Sequence, residues 1–299
     1  TTTSLLGAYF PREDLPLAIS IFQAGPIVGT GIAFVIGGMV LQLVGDSPPL
    51  VLPYFGELAP WQQTFVYLGL PGILLSIMIL VIREPSRRPS TRDPKSSSDT
   101  QELVNFYRRN FNTIFFHHLG NLSLVLTGYA FVFWSITFFV RVHEMNAAEA
   151  SQIFGWIFIF FGPMGPFLVA YVAKTLSKKG HRDANITAGM LGGLITIPAV
   201  LIIQIAPSPF WAFVFYAPAL AAVNSPFGIA SGALPVITPP HLRARVAAVY
   251  MLTGAIGMMF GPPLAGAFNE YIFPGPEGVR YSMITVSYTH LTLPTNREV

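Results

Sequence analysis

Between Ala184 and Pro240 the sequence runs for 57 residues without one Asp, Glu, Lys or Arg. A soluble domain carries a charged residue at about one position in four, so such a run belongs in lipid. One bilayer crossing takes about 20 apolar residues, which leaves room here for two helices and a turn. The turn is predicted at Ala206-Pro207-Ser208-Pro209, where two prolines interrupt the run. The rest of the chain agrees: of 299 residues 52% are hydrophobic and 10% charged, with a mean hydropathy of +0.56. The 27 Gly and 26 Pro fit a polytopic helical protein, because both are commoner in membrane helices than in soluble ones. With no cysteine, disulfides and thiolate metal sites are excluded. The pI near 9.2 does not signal nucleic-acid binding, because the net charge is only +3 and the basic residues sit between the apolar runs.

Five further charge-free runs, Leu15–Gly45, Leu58–Ile82, Leu119–Val140, Ala150–Ala173 and Val246–Asn269, bring the total to seven full spans. They are expected at roughly 16–44, 64–82, 119–140, 151–173, 186–205, 209–236 and 246–268. The loops test that count independently. Of 17 Lys and Arg, 14 fall on alternate connections: before the first span, in 83–118, in 174–185 and in 237–245. The opposite connections hold only Arg141 and Arg280, and Arg297 lies in the terminal segment. The positive-inside rule puts the basic loops in the cytoplasm. An eighth span then begins near Tyr281 with "YSMITV" and is expected to be cut short, with 287–299 a non-native tail. "TTTSLLGAYF" has neither initiator Met nor basic n-region, so no signal peptide is read. The sequons at Asn121 and Asn185 fall at cytoplasmic ends of spans and are discarded as glycosylation sites.

The long basic loop, 83–118, starts Pro/Ser-rich and ends with Leu103, Phe106, Tyr107, Phe111, Ile114 and Phe115 at helical spacing. That pattern predicts an amphipathic helix along the inner membrane surface, with Arg108 and Arg109 at headgroup level. Its last turn reads equally well as the start of the third span. A weak repeat flanks this linker: Phe10–Gly38 lies on Ile237–Ala267 at an offset of 229, pairing Pro11 with Pro240, Ala18 with Ala247, Gly25 with Gly254 and Gly37 with Gly266. Both copies are a polar inner loop followed by an outward helix, the pattern of a transporter built from two parallel halves.

Specific motifs then carry a family resemblance. "APWQQTFVYLGLPGILLSIMILVIREPSRR" has Trp61 before the span, Gly69-Leu70-Pro71-Gly72 within it and Glu84-Pro85-Ser86-Arg87 after it. It resembles the sixth span of the major facilitator superfamily, in its spinster-like branch. "FWSITFFVRVHEMNAAEASQIFG" resembles the seventh span and the start of the eighth, and "KTLSKKGHRDAN" the second cytoplasmic loop signature, with Lys174 where that signature usually carries an Asp. Gly261-Pro262 and Gly266 match an eleventh-span motif whose fifth-span counterpart is reduced to Gly37-Gly38. The resemblance covers about residues 7–286 and implies an all-α polytopic fold, a partial major facilitator bundle holding spans five to eleven of twelve and the start of the last. Residues 1–82 would then be the remainder of an N-terminal bundle, 83–118 a cytoplasmic linker and 119–286 a C-terminal bundle.

Polar side chains at depth are the functional pointers, since burying an unpaired amide in lipid is costly. Asn224 and Ser225 lie in the sixth visible span, Gln23 in the first, Tyr129, Trp134 and Ser135 in the third, Trp156 in the fourth, Tyr216 in the sixth and Tyr250 in the seventh. The family register implies that most of these helices line a central cavity, so these nine are candidate substrate contacts. Interhelical hydrogen bonding competes with that role for Asn224, and interfacial anchoring for Trp134. Gly25, Gly29, Gly37, Gly38, Gly254, Gly261 and Gly266 permit close helix approach. The resemblance adds a gating role for them, for Pro262, and for Lys174, Arg182 and Asp183. "GPMGP" (Gly162–Pro166) is expected to bend its helix.

All 14 acidic residues lie outside the spans, and nucleophile, phosphate-loop and metal-ligand motifs are missing, which argues against an enzyme. His117-His118 are adjacent and diverge by about 100° on a helix, a poor start for a metal site. The expected activity is secondary active transport of a small organic or amphipathic, lipid-like solute by alternating access. Protons are the candidate coupling ion, supplied with a titratable group by spans outside this sequence. The alternative is a polytopic enzyme or scaffold. The expected setting is a bacterial inner membrane, as a monomer when complete, with no cofactor; the chain alone is not expected to transport.

Overall fold

A computed structural model of the chain describes residues 15–54, 56–81, 97–181, 184–239 and 241–288. Residues 289–299 of the expected tail, residues 83–96 of the linker, Arg182 and Asp183 lie outside the described residues, as does the side chain of Gln23, while 287 and 288 of the expected tail continue the last helix. The helices are α1 (Leu15–Asp46), α2 (Pro60–Ile79), α3 (Ser97–Arg109), α4 (Phe111–Val142), α5 (Ala147–Phe161), α6 (Met164–Lys178), α7 (Ala184–Gln204), α8 (Pro209–Ile237), α9 (Arg243–Ala267) and α10 (Gly278–Tyr288). A short antiparallel hairpin, β1 (Val51–Leu52) with β2 (Gly56–Glu57), joins α1 to α2. Among the described residues six segments are long and apolar enough to cross a membrane, α5 and α6 counting as one. The charge-free α8, at 29 residues, is a seventh segment of spanning length.

The helix ends have local causes. α2 starts at Pro60, ahead of the expected 64, because a proline in the first turn needs no N–H partner. The Ala59 N–H is taken instead by Gln62 Oε1 at 2.8 Å. Within Gly162–Pro166, where a bend is expected, the helix is interrupted: α5 stops at Phe161 and α6 starts at Met164. α9 ends in a π-turn, Phe268–Ile272. The linker pattern divides at Asn110 (φ −113°, ψ 27°), so Leu103, Phe106 and Tyr107 belong to α3, while Phe111, Ile114 and Phe115 start α4.

The chain forms two compact units, Thr1–Arg92 with Asn146–Ile159, and Asp93–Met145 with Phe160–Val299. In the first, α1 packs on the leading part of α5 through small residues. A Cβ on Gly155 would stand 2.7 Å from the Gly31 carbonyl oxygen and 2.7 Å from the Val35 nitrogen. One on Gly38 would stand 2.7 Å from the Ala148 oxygen. Phe34 fills the same interface, edge-on to Phe154 at 4.9 Å. This contact places Asn146–Ile159 with α1, where sequence position alone assigns them to the C-terminal bundle.

In the second unit α4 packs along α9, and α6, α7 and α8 pack together. Gly257 and Gly261 of α9 sit against the backbone of Leu122 and Leu126. Gly165 of α6 lies against the Ala221 backbone, and Gly192 of α7 against Ser225. Val169, Ala173 and Ala188 form the apolar seam of α6 and α7, and Ala130, Ala265 and Val286 that of α4, α9 and α10. Phe139 stacks on Phe213 at 3.9 Å and Phe131 on Tyr216 at 5.0 Å, closing an aromatic core between α4 and α8. α3 does not present its apolar face to open surface. Leu103, Phe106 and Tyr107 rest on Leu242 and Val246, where the periodicity alone points to the membrane surface. Apolar side chains take the nearest apolar partner, and the start of α9 supplies one.

Candidate functional site

Charge-free helices bury polar side chains at depth, and the second unit resolves where each goes. Tyr216 is fully buried, and its hydroxyl donates to Ser135 Oγ at 3.0 Å. Ser135 in turn donates to the Phe131 carbonyl of its own helix at 2.6 Å. With Phe131 and Phe139 stacked around Tyr216, this pair is core. Trp134 Nε1 donates to the Pro262 carbonyl at 2.9 Å, and its ring lies 3.1 Å from where a Cβ on Gly266 would be. Trp134, Pro262 and Gly266 therefore form one α4–α9 contact.

Tyr250 is the centre of the densest polar cluster. Asn121 Nδ2 donates to the Tyr250 carbonyl at 3.3 Å and to Thr253 Oγ1 at 3.2 Å, and Thr253 donates to the same carbonyl at 2.7 Å. Gly254 leaves room for that amide, with a Cβ position 3.4 Å from Asn121 Nδ2. The His117 ring stacks on Tyr250 at 5.4 Å, and His118 meets it edge-on at 5.8 Å. From α3 the Tyr107 hydroxyl reaches His118 Nε2 at 3.3 Å. Burial pushes the Tyr107 phenol above its usual range, so it stays protonated at neutral pH. Glu102 of α3 pairs with His241 at 3.2 Å and pins the helix beside this cluster. The cluster offers hydrogen-bond donors, acceptors and ring faces, suited to holding a solute or two helices together.

Asn224 and Ser225 turn back onto α8: Asn224 Nδ2 donates to the Leu220 carbonyl at 2.9 Å and Ser225 Oγ to that of Ala222 at 2.8 Å. Ser225 is also wedged against Gly192. Tyr129 and Trp156 are the candidates left facing outward, 45% and 50% exposed on α4 and α5, and Phe133 extends the Tyr129 surface by one turn. Lys174 is exposed on α6. Of the glycines, Gly38, Gly254, Gly261 and Gly266 meet a neighbour, whereas a Cβ on Gly25, Gly29 or Gly37 would meet nothing within 4 Å. The halves of the weak repeat thus pack differently.

Sequence reasoning passed over Asn121, Thr253, Gly31, Gly155, Gly165 and Gly192. Asn121 carried a usable signal, an amide near the start of an apolar run, which the sequon reading obscured. Among the described residues no group of three or more His, Cys, Asp or Glu could hold a metal.

Comparison with known proteins adds to this geometry. The family model for the Major Facilitator Superfamily matches residues 1–262. Protein spinster homolog 3 of Danio rerio is 24% identical over 286 residues, covering 89% of this chain and 54% of that protein. The Sphingosine-1-phosphate transporter SPNS2 of Xenopus tropicalis is 20% identical over 283 residues, covering 90% of this chain and 52% of that one. The chain thus spans about half the length of the curated relatives it matches. Among solved structures, a bacterial homolog to the human lysosomal transporter Spinster, inward-facing and unoccupied, superposes with a TM-score of 0.72 at 21% identity, over 97% of this chain and 71% of its own. The occupied inward-facing form gives the same TM-score at 22% identity.

Proposed function

Because this chain belongs to the major facilitator superfamily, whose model covers residues 1–262, we propose that it is the larger part of a spinster-like secondary transporter. On this reading its seven spanning segments correspond to spans five to eleven of twelve. The complete transporter moves an amphipathic, lipid-like organic solute by alternating access in a bacterial inner membrane, as a monomer. The family match carries the proposal. Support for the substrate class comes from the spans, which hold no charged side chain at depth, and from Tyr129 and Phe133, exposed one turn apart on α4. A binding surface of that kind suits a molecule with a long apolar part, and one of the relatives is named for transporting sphingosine-1-phosphate. Gln23, Tyr129, Trp156 and Tyr250 are the proposed solute contacts. Asn224 and Ser225 act as supports, since their hydrogen bonds go to their own helix. Tyr216, Ser135 and Trp134 hold the bundle around the site. Gly25, Gly29 and Gly37 stay in the proposal as gating positions, together with Lys174, Arg182 and Asp183. Coupling to protons is proposed through a titratable group outside this sequence.

The test is uptake into vesicles containing the protein encoded by the complete reading frame around this sequence. Solutes range from sugars and amino acids to lysophospholipids and sphingoid phosphates, with and without an imposed pH gradient. Saturable uptake of an amphipathic anion is expected. Flux confined to sugars would remove the substrate class, and no flux of any solute would remove the transport reading.

A further inference from the structure

At the joint of α3 and α4 the chain reads Arg108-Arg109-Asn110-Phe111-Asn112-Thr113-Ile114-Phe115. The break at Asn110 sorts these side chains. Phe106 and Tyr107, just upstream, turn onto Leu242, which precedes α9, and Val246 of α9, which leaves Arg108 and Arg109 exposed on the other side of α3. In the first turn of α4, Ile114 is buried at 2% exposure, while Phe111 and Phe115 are 60% and 46% exposed. The two rings stack on each other at 5.4 Å with 18° between their planes. Both rings are exposed at the end of α4 that adjoins the arginines. No ion pair among the described residues involves either arginine, and Glu102, two turns upstream, is taken by His241.

We propose that this elbow binds an anionic phospholipid of the leaflet on the basic-loop side. The Arg108 and Arg109 guanidiniums take the phosphate, a group their planar donor fork fits, and an acyl chain lies along Phe111 and Phe115. Charge complementarity selects the headgroup, because basic residues at this level meet the anionic leaflet. The exposed, stacked Phe111 and Phe115 beside the two charges select a lipid over a free phosphate. The pair Lys178 and Lys179, at the end of α6, shows the contrast: it is exposed and basic, yet has no Phe, Tyr or Trp within one turn.

The test uses the full chain in nanodiscs of mixed phosphatidylcholine and phosphatidylglycerol, released into native mass spectrometry to count retained lipids. The chain should retain phosphatidylglycerol in preference to phosphatidylcholine. Arg108→Gln with Arg109→Gln should cut that preference about tenfold, and Phe111→Ala with Phe115→Ala should cut it in part. Lys178→Gln with Lys179→Gln should leave it intact. Melting in pure phosphatidylcholine nanodiscs should be the same for all, since every substituted residue is exposed. Full preference in the arginine variant, or an equal loss in the lysine variant, overturns the site. So does displacement of the lipid by soluble glycerol phosphate, which would make it a phosphate site. Should the phenylalanine variant melt early, Phe115→Trp supplies a second readout. Brominated phosphatidylglycerol must then quench its fluorescence more than brominated phosphatidylcholine does, and equal quenching sinks the proposal.

Discussion

A single methyl group distinguishes the glycines of this chain. On Gly155 it would collide with the backbone of Gly31 and Val35, which cannot rotate away, whereas on Gly25 it would point into open space. Gly155→Ala is therefore expected to destabilise by about 1–3 kcal/mol, the usual cost of overpacking, and Gly25→Ala to cause no loss; melting of the purified variants in detergent checks the pair. Tyr216 and Tyr129 make a second contrast. Tyr216→Phe deletes one buried hydrogen bond to Ser135 and should lower stability by about 1 kcal/mol without altering the KM of uptake. Tyr129→Ala, on an exposed face, should leave melting unchanged and raise KM about tenfold if that face meets solute, the equivalent of about 1.4 kcal/mol. The sequence offers Gly25, Tyr216 and Tyr129 as candidates on equal terms and passes over Gly155. Their difference lies in which neighbour each one faces, a relation between residues distant in the chain.

Elements hold together through contacts made at their ends. α3 stays on the bundle because Leu242, 3% exposed, fills the hollow formed by Leu103, Phe106 and Tyr107. Leu242→Ala should cost about 2–5 kcal/mol locally and speed hydrogen exchange throughout Ser97–Arg109, leaving exchange in α7 untouched. At the other end of α4, His143 closes the helix against Phe138 and Phe139 and faces Arg280 in the first turn of α10 and Glu277 just before it, with Arg141 and Glu144 as its charged chain neighbours. Burial first, then the Arg280 charge, lowers the His143 pKa below its usual 6.5, against a smaller opposing pull from Glu277. The unfolded chain therefore takes up this proton first as pH falls. Stability should hold above 6.5 and decline as pH drops below it, and His143→Gln should remove that slope from a melting series. The amphipathic pattern of α3 was legible in sequence. Its partner was not, because a helical period reports that one face is apolar and is silent about what covers it.

For the whole molecule the family assignment and the run of spanning helices agree, and the cysteine-free sequence makes their sidedness testable. Single cysteines at Glu57 and Lys178, labelled with an impermeant maleimide in sealed vesicles, should react from opposite sides, Lys178→Cys from the cytoplasmic one. Reaction of both from one side would overturn the assignment by loop charge. The sequence by itself determined the fold class and the number and approximate limits of the spans. Hydropathy belongs to each residue and adds along the chain, so one local window is enough to read it. Only the tertiary structure decided that Trp134 meets Pro262, that Asn121 meets Tyr250, that Tyr216 is core while Tyr129 is surface, and that Gly155 pairs with Gly31. Those outcomes depend on the axial register and rotation of one helix against another across more than a hundred residues. Nearly uniform apolar helices carry too little periodicity to fix either.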